Sequence, residues 1–320
     1  MLNKNHIKKI SNILNLNEKN SETFYKKSLL SGEFSNESSF EDWIENRLKK
    51  NVIFLNKSDY EEMCLNSLKS LRNFAETDFG SSRQRDFNQK WADTTRGYLG
   101  EKAFQKFLLK RFEIKSQLKH KKGELSDFIH TDIHAIKRKG EKKLQSLRKT
   151  ISIKTTKLNG MWLDIPGAQF HHSDYHVLIK LILEQNHMFS FFKEISIFKD
   201  KLLRRAVEKG YFKKHEADNF FNTIPSLDKI PAYITGFVKS QNFKSNYKYK
   251  GKKGRIHYTI TSWRGKYKRS FLTEIKDKES ITGNVNFQGI NKFSHDDAYI
   301  FNTGNLNWSD SDWKTLIKSL

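Results

Sequence analysis

The stretch Tyr175 to Leu183 (YHVLIKLIL) is apolar almost without a break. A strand with one face in water alternates polar and apolar residues. A strand that does not alternate is buried on both faces, which predicts a central strand covered from two sides. Met188 to Ile195 reads the same way. The fold class expected is α/β of the mixed α+β kind, a central mixed sheet flanked by helices.

Helical spacing surrounds this strand region. Residues 1 to about 75 read as helical, with Phe40, Trp43, Ile44 and Leu48 on one stripe and Ser38 and Ser39 offering N-cap oxygens. A polar stretch, Thr77 to Gln84, is expected to link this region to the next. A helix over about 92 to 112, capped by Asp93 or Thr94, buries Leu99, Ala103, Phe104, Phe107, Leu108 and Phe112. Glu101 falls at the edge of that stripe. Residues 197 to 223 read as helical again, and the remainder as short strands and loops.

Two segments alternate with period two: Asp132-Ile133-His134-Ala135-Ile136, and Thr150 to Thr156 (TISIKTT). A basic, polar turn region lies between them, and Met161 to Ile165 is a short extension. A hairpin centred near residue 143 sets Asp132 opposite Lys154. Ser152, Lys154 and Thr156 then share one face, while Ile151 and Ile153 pack on a helix from the other. Asp, Glu and Lys converging in this way suit metal-assisted phosphodiester hydrolysis. Asp132 and Glu101 offer the hard oxygens that Mg²⁺ needs, and Lys154 can stabilise developing negative charge or orient the attacking water.

Asp132 followed by Ser152-Ile153-Lys154 resembles the PD-(D/E)XK nuclease superfamily, to which many type II restriction endonucleases belong. Gly100-Glu101 is similar to the family's helical acid. ISIKTTK resembles the second motif strand, and WLDIP, Gln169 and DYHVLIKL resemble the segments on its C-terminal side. The resemblance covers roughly residues 92 to 195. It implies a helix, an antiparallel sheet with the motif hairpin, a second helix and further strands. Two positions depart from the pattern: Thr131 stands where Pro is usual, and Ser152 stands where the second motif acid is expected. Some members carry Ser there and recruit an acid from elsewhere. Glu101 is the first candidate for that acid, Asp164 the second, and Asp127 an alternative to Asp132. A decayed, non-cleaving relative is the other way to explain Ser152.

The charge balance names a class of partner. Lys and Arg number 59 against 36 Asp and Glu, a net charge of +23. Such a field attracts nucleic acid or an anionic membrane surface. No apolar run is long enough to cross a bilayer and Met1 opens no secretory signal pattern, so nucleic acid in the cytoplasm is expected. Cys64 is the only cysteine, which leaves no intrachain disulfide and no cysteine-based zinc site. His130, His134, His171, His172 and His176 cluster in sequence without zinc-site spacing. The run Lys244 to Lys268 interleaves basic and aromatic residues. Lys252 and Lys253 suit phosphates, and Arg255 or Arg264 suits guanine in the major groove. Lys157 is read as a phosphate contact, and Gln169 as a loop amide or a DNA contact.

The expected organisation is a helical region over 1–84, a nuclease core over 85–225 and a DNA-recognition region over 226–320. The expected function is Mg²⁺-dependent, sequence-specific cleavage of double-stranded DNA in a restriction–modification system. Cutting two strands calls for a homodimer, and the system for a cognate methyltransferase acting on the same site. The alternatives are a non-catalytic DNA-binding protein on the same fold, and a repair or recombination nuclease.

Overall fold

The computed structural model describes residues 3–70, 86–118, 131–183, 187–194, 198–241, 246–251, 256–268, 283–288, 290 and 297–320. The chain begins with helices α1 (Lys4–Leu14), α2 (Glu18–Leu30) and α3 (Glu37–Asp42). The last continues through a π-helical stretch, Trp43–Leu48, into α4 (Lys49–Asn51). Phe40, Trp43, Ile44 and Leu48 are all buried, as their spacing requires. The cap of α3 is Asn36 rather than Ser38 or Ser39. The Asn36 side chain accepts from Ser39 N at 2.9 Å, and the Ser39 hydroxyl accepts from Asn36 N at 2.9 Å. Ser39 thus takes the inner place of a capping box. Strand β1 (Val52–Leu55) and helix α5 (Lys57–Ser70) follow. β1 interrupts the stretch expected to be wholly helical.

Helix α6 (Phe87–Phe112) starts earlier than its stripe suggested. Asp86 is the cap, its carboxylate accepting from Gln89 N at 2.7 Å. Asp93 lies inside the helix and pairs with Arg96 at 3.2 Å. The linker residues Thr77 to Gln84 lie outside the described residues. Beyond α6 come β2 (Lys115–Leu118), β3 (Ile133–Lys137), β4 (Gln145–Ser146), β5 (Ile151–Thr156), β6 (Trp162–Pro166), α7 (Gly167–Phe170) and β7 (Tyr175–Leu181). The expected strand from Met188 is instead helix α8 (His187–Glu194). His187 and Ser190 are buried while Phe189 is 49 % exposed, a three-residue rhythm that a short apolar run does not declare in sequence. A second π-helical stretch (Phe198–Leu203), α9 (Arg204–Glu208) and α10 (Lys214–Thr223) confirm the helical reading of 197–223. The chain ends with β8 (Ile230–Lys239), β9 (Asn246–Gly251), β10 (Ile256–Lys268), β11 (Gly283–Phe287), β12 (Asp297–Asn302) and α11 (Asp310–Ser319). β8 and β10 are long rather than short, and α11 stands where short strands and loops are expected.

The main sheet runs β1-β8-β7-β5, with β5 parallel to β7 and the other pairs antiparallel. This is the mixed sheet flanked by helices that the sequence implied. All of β7 is buried. One face packs on α6, where Leu99, Ala103, Phe104 and Phe107 meet Ile151, Val177, Ile179 and Ile234, with Trp313 and Leu316 of α11 in the same core. Each buried Leu, Ile, Val or Phe side chain there stabilises the fold by roughly 1.5–3 kcal/mol. The other face meets a second sheet, β11-β10-β12-β6 with β9 on β10. Leu163, Ile165, Phe170 and Phe301 close on Leu178 and Val238 there. The main sheet takes β1 from the stretch expected as an N-terminal region and β8 from the one expected as a recognition region, so all three stretches share one sheet.

The hairpin centred near residue 143 does not form. β3 pairs with β2 and with β4, in the register Ala135↔Ser146 and Ile136↔Gln145. The chain reverses at Lys139–Gly140, where Gly140 has φ +85°, a conformation that glycine takes without strain. The turn therefore falls earlier than residue 143. β5 then leaves to pair in parallel with β7, Ser152 beside His176 and Lys154 beside Leu178.

Candidate active site

Alternation along β5 puts Ile151 and Ile153 against α6 and Ser152, Lys154 and Thr156 on the opposite face, as the sequence required. Two anchors fix the strand. At its start the Asp174 carboxylate accepts from Thr150 N (2.9 Å), Thr150 Oγ1 (3.0 Å) and Lys149 Nζ (3.0 Å). Partial burial works to raise the Asp174 pKa, but these donors outweigh it and hold the carboxyl below its usual value. Sequence reasoning misses Asp174. Its only signal there is an acid placed directly before an apolar strand.

The second anchor is at the free edge of β5. Asp132 N donates to Ile151 O at 2.8 Å, and Thr131 Oγ1 accepts from Ile151 N at 3.1 Å while donating to Ile133 O at 2.8 Å. Asp132 Oδ2 then accepts from Ile153 N at 2.6 Å. The carboxylate so occupies the place of a backbone carbonyl, one residue before Lys154. It is not opposite Lys154 across a ladder, but it meets the backbone beside it. No described residue bonds to the other carboxylate oxygen of Asp132.

Lys154 is half-buried and its Nζ donates to Gln169 Oε1 on α7 at 3.0 Å. Gln169 thus touches the candidate lysine from the layer of the second sheet. His176, beside Ser152 in the register, is buried and donates from Nε2 to Phe170 O at 2.9 Å. Burial pushes the His176 pKa down to about 4, and the charges of Lys154 and His171 push the same way. The imidazole is therefore neutral at neutral pH, part of the floor under Lys154 and not a second cation.

Helix α6 packs on β5 at Gly100, the residue before Glu101. At Gly100 the helix approaches β5 so closely that an added Cβ would lie 2.0 Å from Thr155 Oγ1. Only glycine permits that approach. Glu101 follows directly and is 4 % exposed. Asp132 meets the backbone of Ile153 beside Lys154, whereas Gly100 meets Thr155 on the α6 face of the strand, the side away from Lys154. Asp164 goes elsewhere: its neighbours Leu163 and Ile165 face the main sheet, so alternation along β6 turns Asp164 to the other side.

Among the other candidates, Lys157 is exposed just beyond β5. Arg264 sits on β10 beside Phe301, half-buried, and burial lowers its pKa. Lys252, Lys253, Arg255, Asp127 and His130 lie outside the described residues. His134, His171 and His172 are exposed and His176 is buried. Among the described residues no group of three or more His, Cys, Asp or Glu side chains is set to hold a metal ion. Mg²⁺ is commonly held by one or two carboxylates with waters and substrate phosphates. The donor chemistry of Asp132 and Glu101 fits that pattern. No described helix is long and apolar enough to cross a membrane. Comparison with protein-family models, with curated proteins and with solved structures finds no match to this chain.

Proposed function

We propose that this chain is a Mg²⁺-dependent, sequence-specific double-strand DNA endonuclease of restriction–modification type, built on a PD-(D/E)XK-like core. The observation that carries the reading is the Asp132 carboxylate bonded to Ile153 N–H, one residue from Lys154. An acid fixed on the backbone of a sheet edge one residue from a lysine, with a buried carboxylate on the helix packed against that strand, suits phosphodiester hydrolysis in a chain of net charge +23. Asp132 and Glu101 would hold the ion, with Ser152 in place of a second motif acid. The ion supplies polarisation of the phosphate and a hydroxide near neutral pH. Gln169 keeps the Lys154 ammonium directed, so that it can meet the phosphate as negative charge develops. Lys157, Arg264 and the Lys252, Lys253 and Arg255 run supply the DNA contacts. A homodimer in the cytoplasm, with a methyltransferase protecting the same sequence, completes the proposal.

Plasmid cleavage in Mg²⁺ tests it. The wild type should give discrete fragments from long unmethylated DNA. Lys154→Ala and Asp132→Ala should each lose cleavage by at least a hundredfold while still binding DNA. Wild-type binding without any cutting would overturn the reading in favour of a non-catalytic DNA-binding protein, and Ser152 at the acid position would then mark a decayed relative. Nicking that follows DNA structure instead of sequence would move the activity to repair or recombination.

A further inference from the structure

The parallel strands β5 and β7 end side by side, and the residues just beyond them open into a cavity of about 590 Å³. Lys157, Leu158 and Asn159 follow β5, Ile182 and Leu183 follow β7, and α1–α2 and the entry to β8 supply the other walls. Small-molecule sites span roughly 300–1,000 Å³, and ligands in open α/β sheets collect outside the carboxyl ends of parallel strands. We propose that this cavity binds a nucleotide.

The lining specifies that chemistry in three parts. Two ammonium groups, Lys157 and Lys229, border the cavity, and no described lining residue carries a carboxylate. Lys229 Nζ is steadied 4.2 Å from the centroid of the Phe54 ring. This suits a phosphate. Asn15, Asn20 and Asn159 bring side-chain amides that make no hydrogen bond to any described residue, and an amide presents a donor beside an acceptor, the pattern of a nucleobase edge. Ile182, Leu183 and Pro231 give an apolar wall on which a base can lie. A sugar phosphate would leave that wall unused, and an acyl chain would leave the amides unpaired. The nucleotide can arrive free in solution or swung out of a bound duplex. The cavity does not contain Asp132, Lys154 or Glu101, so the site stands whether or not the chain cleaves DNA.

Calorimetric titration of the full chain, without metal, with each of the four deoxynucleoside monophosphates tests the free source. Fluorescence of a base analogue placed within a duplex tests the other, because its emission rises when the base leaves the stack. At least one monophosphate should bind saturably, or the analogue should brighten on protein binding. Asn159→Ala and Lys229→Ala, both exposed positions, should each weaken that signal about tenfold, the effect of losing one good polar contact. Both variants should keep the wild-type melting temperature. Silence in both assays overturns the proposal, and so does a signal unchanged in both variants.

Discussion

The Glu33 carboxylate and the Lys180 ammonium lie 2.7 Å apart with neither side chain exposed to solvent. Glu33 also accepts from Trp43 Nε1 (3.0 Å), Tyr233 OH (2.9 Å) and Thr303 Oγ1 (2.6 Å). Burial works to raise its pKa, but Lys180 and Arg47 win and hold it down to about 2. Arg47 in turn donates to the carbonyls of Thr235 (2.8 Å) and Thr303 (2.6 Å). The network ties the N-terminal helices to β7, β8 and the end of β12. Removing one partner leaves the other charged and buried, which costs more than the pair itself contributes.

Lys180→Met is therefore expected to lower the unfolding free energy by about 3–5 kcal/mol. Glu33→Gln combined with Lys180→Met should cost less than the losses of the two single variants added together, because both remove the same interaction while Arg47 stays charged in every chain. Denaturant midpoints of the wild type, the two single variants and the double variant check this. A double-variant loss equal to the sum of the two single losses would show that the pair is not coupled.

Gly100→Ala is expected to destabilise by about 1–3 kcal/mol, the range for overpacking a dense core. The added Cβ meets Thr155 Oγ1 at 2.0 Å and Thr155 Cγ2 at 3.3 Å. Thr155→Ala removes both atoms and should recover most of the loss. A Gly100→Ala chain as stable as the wild type would mean that α6 does not rest on β5 here.

The parts of the fold legible in the sequence were those set by one periodicity and one burial pattern. The α6 stripe from Leu99 to Leu108, the two-sided burial of β7 and the split of Ile151 and Ile153 from Lys154 all follow from local spacing. What failed depended on partners distant in the chain. Nothing near Val52 announces that β1 pairs with β8, because its neighbours are far away in sequence, as in Val52↔Tyr233 and Leu55↔Ile230. The register at Asp132 failed for a related reason: β4 takes the place across from β3, and Thr131 uses its hydroxyl to dock on β5. The candidate site was legible as residue types, but its assembly depended on that docking.

Thr131→Val tests the docking directly. Valine keeps the shape and loses the oxygen that accepts from Ile151 N and donates to Ile133 O. The expected loss is about 1–3 kcal/mol, since a half-buried N–H is left without its acceptor. If Asp132 acts from this position, cleavage should fall further than stability does, with Thr131→Ser restoring both. A Thr131→Val chain with wild-type stability would show that the hydroxyl is dispensable for holding the edge of β5.

Acid should weaken the fold first through its buried histidines. Burial lowers the His176 pKa to about 4 and the His187 pKa to about 3, whereas the unperturbed value is 6.5. Between these limits the unfolded chain binds protons that the native chain refuses, so stability falls as pH drops from about 6.5. Glu33 acts in a lower window, because a carboxyl depressed from 4.5 to about 2 loses its contribution only below about 4.5. The decline from pH 6.5 to 4.5 therefore belongs to the histidines, at about 2–3 kcal/mol for each over that interval. His176→Gln keeps a donor for Phe170 O but cannot take up a proton. Its denaturant midpoint should fall less steeply than the wild type's across those two pH units, and parallel profiles for the two chains would rule His176 out as a source of the slope.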